Sequence, residues 1–211
     1  MRTWHVTTLG EPAEALTLTT ITTPKPGPGE VLIRVGAVAA NFPDVLLARG
    51  LYQVKPELPF APGVECSGTV VALGEGVSRV REGDRVVAYS IGVLGEYAVV
   101  PADAVQRIPD SLDDVRAAGL TIAYQTAWFA LHRRAALQPN EWLLVHAAAG
   151  GVGAAAVQLG AAAGARVIGV VGSEAKAQTA RDAGAEHVIL RSDDIVAEVK
   201  RITGGSGADV I

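Results

Sequence analysis

Residues 146–153 read HAAAGGVG, an apolar strand end running directly into three glycines. Set against the dinucleotide-loop pattern G-x-G-x-x-G, the three positions fall on Ala148, Gly150 and Gly153, so the middle and last glycines stand and the first is alanine. A glycine in the middle lets the backbone come close to a pyrophosphate, and one at the end lets the following helix pack tightly on the strand. The helix start adds free N–H groups and a partial positive charge. An alanine in first place requires a turn that stays out of positive φ at that residue. The competing reading is an Ala/Gly-rich buried crossover with no ligand, and the surroundings of the loop decide between the two.

Those surroundings alternate. A strand is read over 142–147, a helix over 152–163 closed by Gly164, and a strand over 166–171. A helix over 174–183 closed by Gly184, a strand over 186–190, a helix over 193–203 closed by Gly204 and a strand opening at Asp209 follow. Strand, helix, strand in succession means a parallel sheet covered by helices, with HAAAGGVG at its first strand-to-helix turn. Upstream the texture differs. VLIRVGAVAA (31–40), GTVVALG (68–74), DRVVAYS (84–90) and EYAVVP (96–101) are short β-rich runs separated by PKPGPGE, GEG and REGD, which suggests a barrel or sandwich. Between the halves, Ser111 with Asp114 resembles a capping box, opening one or two helices that end before Pro139. The chain is therefore expected to divide into residues 1–120, β-rich, and residues 121–211, the first half of a nucleotide-binding sheet.

With 211 residues and 49% hydrophobic composition, the chain builds its core without staples. One cysteine, Cys66, excludes a disulfide framework or a Cys-rich zinc lobe within it. A net charge of −4 without a basic block argues against nucleic acid or an anionic membrane as the main partner. The start, MRTWHVTTLGEPAE, carries no apolar signal region, and the expected location is cytoplasmic.

The choice of nucleotide falls at the end of the second parallel strand, where a carboxylate would take the ribose 2′-hydroxyl of NAD about twenty residues after the glycines. That position is Gly172 in GVVGSEAK. Ser173 and Lys176 follow, a hydroxyl and a cation suited to a 2′-phosphate, with Arg191 after the third strand as a second cation. NADPH is the expected cofactor, held by Ala149, Gly150, Gly151, Val152 and Gly153 of the loop and by Gly172, Ser173, Lys176 and Arg191. Glu174 between the two opposes this if it points inward, and Lys176 and Arg191 also read as ordinary surface charges.

NEWLLVHAAAGGVGAAAVQ (140–158) resembles the signature of the zinc-independent quinone oxidoreductases, the zeta-crystallin-like branch of the medium-chain dehydrogenase/reductase superfamily. NFPD (41–44), GLYQVKPELPF (50–60), PGVECSGTVVALGEGV (62–77) and GDRV (83–86) follow that family's order. The resemblance implies a GroES-like β-rich catalytic domain followed by a Rossmann domain, with NADPH in the cleft between them. It carries Asn41 and Asp44 over as the family's N-x-x-D, with Asn41 bonding the nicotinamide ribose or substrate oxygen, and Thr126 as the threonine beside the carboxamide. Zinc-dependent relatives have an early cysteine and a His-Glu pair; here the segments are AANFPD and Val64-Glu65, so no metal site is expected. His5, His132, His146 and His187 are scattered without ligand spacing and read as packed or surface residues. Cys66 reads as a buried thiol and Glu65 as a hydrogen-bonding strut.

The implied reaction is NADPH-dependent reduction of a small, apolar, electron-poor acceptor, a quinone or an α,β-unsaturated carbonyl such as an enoyl thioester. Asn41, Tyr52 and Asp44 are the catalytic candidates, Tyr52 to orient the acceptor carbonyl or donate a proton. Tyr52 reads almost as well as a packed loop aromatic, and Asp44 as a helix cap. Leu46, Leu47, Tyr52 and Val54 describe an apolar mouth. GGSGADVI stops at Ile211, inside what the pattern makes a fourth strand, so a fragment or a shortened relative is expected, with a homodimer in a full-length chain. The alternative reading is a non-catalytic NADPH-binding or interaction protein that keeps the fold.

Overall fold

The turn-punctuated runs of the first half become strands because their alternating β-branched residues bury one face while Gly and Pro clusters break the chain between them. A computed structural model describes all 211 residues, Met1–Ile211. They divide into two units, Met1–Thr121 and Ile122–Ile211.

In the first unit, β3 (Glu30–Val38), β4 (Glu65–Leu73), β5 (Arg85–Tyr89), β6 (Tyr97–Pro101) and β7 (Val105–Arg107) form an antiparallel sheet in the order β6-β3-β4-β5-β7. Val31, Ile33, Cys66, Val70, Val86, Val93 and Val100 fill its core at 1% exposure or less. Each such side chain contributes roughly 1.5–3 kcal/mol of burial. β1 (Arg2–Val6) and β2 (Leu16–Thr20) pair as a separate hairpin around the short α1 (Pro12–Ala15). α2 (Phe42–Ala48) follows β3, and α3 (Asp114–Ala118) closes the unit.

α3 is held to the sheet by Asp114. Its carboxylate accepts from Arg85 at 2.6 Å and its carbonyl accepts from the Ser67 hydroxyl at 2.6 Å. The helix begins two residues later than the Ser111 reading implied. Asp113 is the cap, accepting from the Arg116 N–H at 2.8 Å and so satisfying one of the first turn's free donors. β4 likewise begins at Glu65 rather than at 68, since its register with β5 continues down to Glu65 opposite Tyr89.

α4 (Thr121–Trp128) starts on the last residue of the first unit and supplies the first residues of the second, continued by a π-helical run over Phe129–Arg134. Then β8 (Trp142–Val145), α5 (Gly151–Ala162), β9 (Arg166–Val171), α6 (Glu174–Asp182), β10 (His187–Leu190) and α7 (Ile195–Ile202) alternate as read. The sheet is parallel with the order β10-β9-β8, which makes the chain an α/β protein with a β-rich first unit and a Rossmann-like second one. Gly164 at φ +80° and Gly184 at φ +112° end α5 and α6 in the left-handed conformation that a side chain disfavours. Alternation along β8 sends Leu143 and Val145 to the α5/α6 face and Trp142 and Leu144 to the face with Ile168, Val170 and Val199. The strand expected from Asp209 is reduced to one parallel bridge, Leu143 to Val210, with the Leu144 N–H donating to the Val210 carbonyl at 2.9 Å. No helix is long and apolar enough to cross a membrane.

Candidate functional site

β8 ends at Val145, and the chain then turns through His146, Ala147 and Ala148 to Gly150, the N-cap of α5. The left-handed residue of this turn is Ala147, at φ 52°, one place before the alanine that replaces the first glycine. A non-glycine residue held there costs of order 1–3 kcal/mol and persists only where its surroundings fix it. They do so here: the Gly150 N–H donates to the Ala147 carbonyl at 2.8 Å, the Ala148 N–H donates to the Val170 carbonyl at 3.0 Å, and Ala148 is fully buried. A Cβ on Gly153 would run into that same Ala147 carbonyl oxygen and into the Ala148 Cα, so the last glycine is required by the loop folding back over the helix start. Gly151, Val152 and Gly153 open α5, and their N–H groups belong to the first turn, which has no intrahelical acceptor.

Beside this turn lies a cleft of about 340 Å³. Its walls include Ala149 and Gly150 of the loop, Gly172 after β9, Lys176 in the first turn of α6, and Arg191 after β10. His146 also lines it. No carboxylate does, and Glu174, exposed on α6, is not among its walls. Ser173 is the N-cap of α6, next to Gly172 and likewise outside the walls. Elsewhere in this unit Arg166 pairs with Glu186 at 2.6 Å and Arg201 with Glu198 at 2.7 Å. Lys176 and Arg191 have no acidic partner, so their charges are directed at the cleft uncompensated.

In the first unit, Asn41 caps α2 and Asp44 stands three residues on. One Asp44 carboxyl oxygen accepts from the Asn41 N–H at 2.7 Å; the other is buried without a hydrogen-bond partner. Burial pushes the Asp44 carboxyl above its ordinary range, opposed by the Asn41 and Gly63 N–H groups and assisted by the Glu65 carboxylate. Both residues line an apolar cavity of about 210 Å³ whose other walls include Leu16, Val38, Pro62 and Leu94. The Asn41 amide donates to Glu65 Oε1 at 2.8 Å and to the Ala39 carbonyl at 3.1 Å. Glu65, 1% exposed, also accepts from the Thr121 hydroxyl at 2.5 Å. Sequence reasoning proposed a strut at Glu65, but its partners are 24 and 56 positions away and leave no local signal.

Tyr52 is half-buried in the loop after α2, its N–H donating to the Leu46 carbonyl at 3.2 Å. Thr126 is exposed on α4 and lines neither cavity. The apolar mouth inferred from Leu46, Leu47, Tyr52 and Val54 does not form as a set, because Leu47 is sealed in the core at 1% exposure. Burial, with the neighbouring Glu65 carboxylate, pushes the Cys66 thiol up to about 12, so it is an inert packing group. Nowhere do three or more His, Cys, Asp or Glu side chains converge as a metal site needs. With Cys66 in the core of the antiparallel sheet and Glu65 committed to Asn41 and Thr121, this donor set does not fit zinc.

A β-rich unit followed by a parallel nucleotide-type sheet is the architecture of the medium-chain dehydrogenases and reductases. Residues 27–110 match the alcohol dehydrogenase GroES-like domain family and residues 151–211 the zinc-binding dehydrogenase family. A probable oxidoreductase from Mycobacterium abscessus superposes with a TM-score of 0.93 at 38% identity, over 99% of this chain and 67% of that one. Escherichia coli quinone oxidoreductase, crystallised with NADPH, superposes with a TM-score of 0.90 at 36% identity, over 97% and 63%. The quinone oxidoreductase of Salmonella typhimurium (strain LT2) is 41% identical over 202 residues, 94% of this chain and 61% of that protein. The chain belongs to the zinc-independent quinone oxidoreductase branch of that superfamily, and it spans about three fifths of the length of these quinone oxidoreductases.

Proposed function

We propose that this chain carries the cofactor-reading part of an NADPH-dependent oxidoreductase that delivers hydride to a quinone or an α,β-unsaturated carbonyl without zinc. The observation that carries this reading is the carboxylate-free cleft with two uncompensated cations, Lys176 and Arg191, at the ends of the parallel strands. In an NAD site a carboxylate stands where Gly172 stands here. Lys176 and Arg191 supply the charge-assisted donors that a 2′-phosphate takes. The loop amides from Ala149 to Gly153 receive the pyrophosphate at the start of α5.

The bound nicotinamide supplies the hydride. Asn41 offers one acceptor: with both amide hydrogens given to Glu65 and Ala39, its Oδ1, which faces the Asp44 N–H in the capping box, keeps a second lone pair for a ribose or substrate hydroxyl. Tyr52 orients the acceptor carbonyl.

Two measurements on the full-length protein test this. Lys176→Ala is expected to weaken NADPH about 10- to 100-fold, the loss of a hydrogen bond to a charged group, and to leave NADH nearly unchanged. Equal losses for both would remove the 2′-phosphate assignment. Loss of NADPH absorbance is expected on mixing with a small quinone or an enoyl thioester; tight NADPH binding with no oxidation by either acceptor would instead mark a non-catalytic binding protein.

A further inference from the structure

Three of the four histidines are engaged within the protein. His5 is hydrogen-bonded to the Thr19 hydroxyl at 2.8 Å, His132 packs on the Trp128 ring, and His187 lies 3.5 Å from Glu186 beside Trp142. His146 is exposed in the nucleotide cleft, and no hydrogen bond, ion pair or ring contact engages its imidazole.

Its place in the sheet is specific. β8, β9 and β10 end at Val145, Val171 and Leu190, and the next residues, His146, Gly172 and Arg191, all line the same cleft. The strand order β10-β9-β8 puts Arg191 at one side, Gly172 in the middle and His146 at the other. A dinucleotide laid across these strand ends has its 2′-phosphate near the end of the second strand of the unit and its pyrophosphate over the turn after the first. Lys176 and Arg191 belong to the former region, and His146 adjoins the latter through Ala147. The only charged groups lining the cleft with it are Lys176 from α6 and Arg191 after β10; β8, β9 and α5 contribute none.

We propose that His146 is a positioning residue for the dinucleotide, donating from its imidazole to the pyrophosphate that NADPH and NADH share, and takes no part in reading the 2′-phosphate. This rests on the nucleotide reading above and divides the cleft in two, with a generic grip at β8 and a selective one at β9 and β10.

ADP, which has the pyrophosphate alone, and 2′-AMP, which has the 2′-phosphate alone, separate the two halves when titrated with NADPH and NADH against the full-length protein. His146→Ala is expected to weaken ADP, NADPH and NADH alike, by about tenfold, and to leave 2′-AMP within about twofold. His146→Gln, which keeps a side-chain donor, is expected to recover most of the loss, a rescue that a purely structural role would not produce. Lys176→Ala is expected to show the opposite pattern, losing 2′-AMP and NADPH while holding ADP and NADH. If His146→Ala leaves ADP and NADH unchanged, or weakens only NADPH and 2′-AMP, the assignment of His146 fails while the cleft stands. If the unaltered protein binds none of the four, the nucleotide reading falls and this inference with it.

Discussion

Two glycines of the loop, Gly151 and Gly153, two residues apart at the same helix start, should respond oppositely to the same substitution. At Gly153 an added Cβ meets the Ala147 carbonyl oxygen and the Ala148 Cα, both backbone, so no rotamer change relieves the overlap. The Ala147 carbonyl is held by the Gly150 N–H at 2.8 Å, so moving it breaks the bond that stabilises the left-handed Ala147. Overpacking against fixed atoms costs about 1–3 kcal/mol. At Gly151 nothing lies within 4 Å of the added Cβ, and the backbone there is already helical. Alanine in that position gains up to about 0.5–1 kcal/mol by restricting the unfolded chain. For a chain of this size one kcal/mol moves the midpoint by about 2–4 °C, so Gly153→Ala should melt roughly 2–12 °C lower and Gly151→Ala slightly higher than the parent. Because the chain has two units, the transition should be followed through Trp142, which is 8% exposed in the second one. Gly153→Ala should also lose nucleotide affinity, since the displaced loop no longer presents its amides. Equal, mild effects at both positions would refute the argument that the third glycine exists to let the chain pass over the helix.

Other outcomes follow from the first unit. Glu65→Leu strands the Asn41 amide and the Thr121 hydroxyl and is expected to cost about 2–4 kcal/mol in urea unfolding, with Glu65→Gln costing clearly less; parity between the two would deny the strut. Asp44 is raised in the folded state by burial, so its charge opposes folding above the unfolded pKa. Its penalty therefore grows as pH rises from about 4 toward the raised value and is fully present above it, and Asp44→Asn should narrow the stability gap between acid and neutral pH. A stability–pH profile unchanged by the substitution would count against the buried carboxyl. Cys66, pushed up to about 12 and fully buried, should react with a thiol reagent only at the rate the protein unfolds. Rapid labelling of the folded protein would contradict its place in the core.

The two units differ in how far their sequence exposes their structure. In the second, each element is local: β9 runs over Arg166–Val171 as its apolar run suggests, and Gly164 and Gly184 mark helix ends that positive φ makes recognisable. A parallel unit of this kind leaves few choices of handedness or partner. In the first unit the strands are legible and their pairing is not. The order β6-β3-β4-β5-β7 depends on contacts across the sheet and on register shifts in β3 between Leu32 and Ile33 and between Val35 and Ala37. Such irregularities re-aim side chains without a residue-type signature. The β1–β2 hairpin leaves little trace in the sequence for a related reason, since Trp4 and Leu18 are exposed at 39% and 49%, blurring the apolar alternation that marks a strand.

The nucleotide cleft was readable where residue type carries chemistry and unreadable where position does. Lys176 and Arg191 are legible because cations beyond strand ends suggest phosphate, whereas His146, without ligand spacing, reads from the sequence as a packed or surface residue. Yet in an open parallel sheet the crevice lies outside the carboxyl ends of the strands, so the residue following each strand is delivered there whatever its type. Once β8 is known to end at Val145, His146 stands in the same relation to its strand as Gly172 and Arg191 do to theirs. The sequence pattern runs β8 to 147 and so places His146 within the strand; β8 instead ends at Val145, the left-handed Ala147 lies in the turn that follows, and His146 lines the cleft. A single left-handed φ at a non-glycine residue, which composition does not announce, thus separates a histidine within the strand from one that lines the cleft.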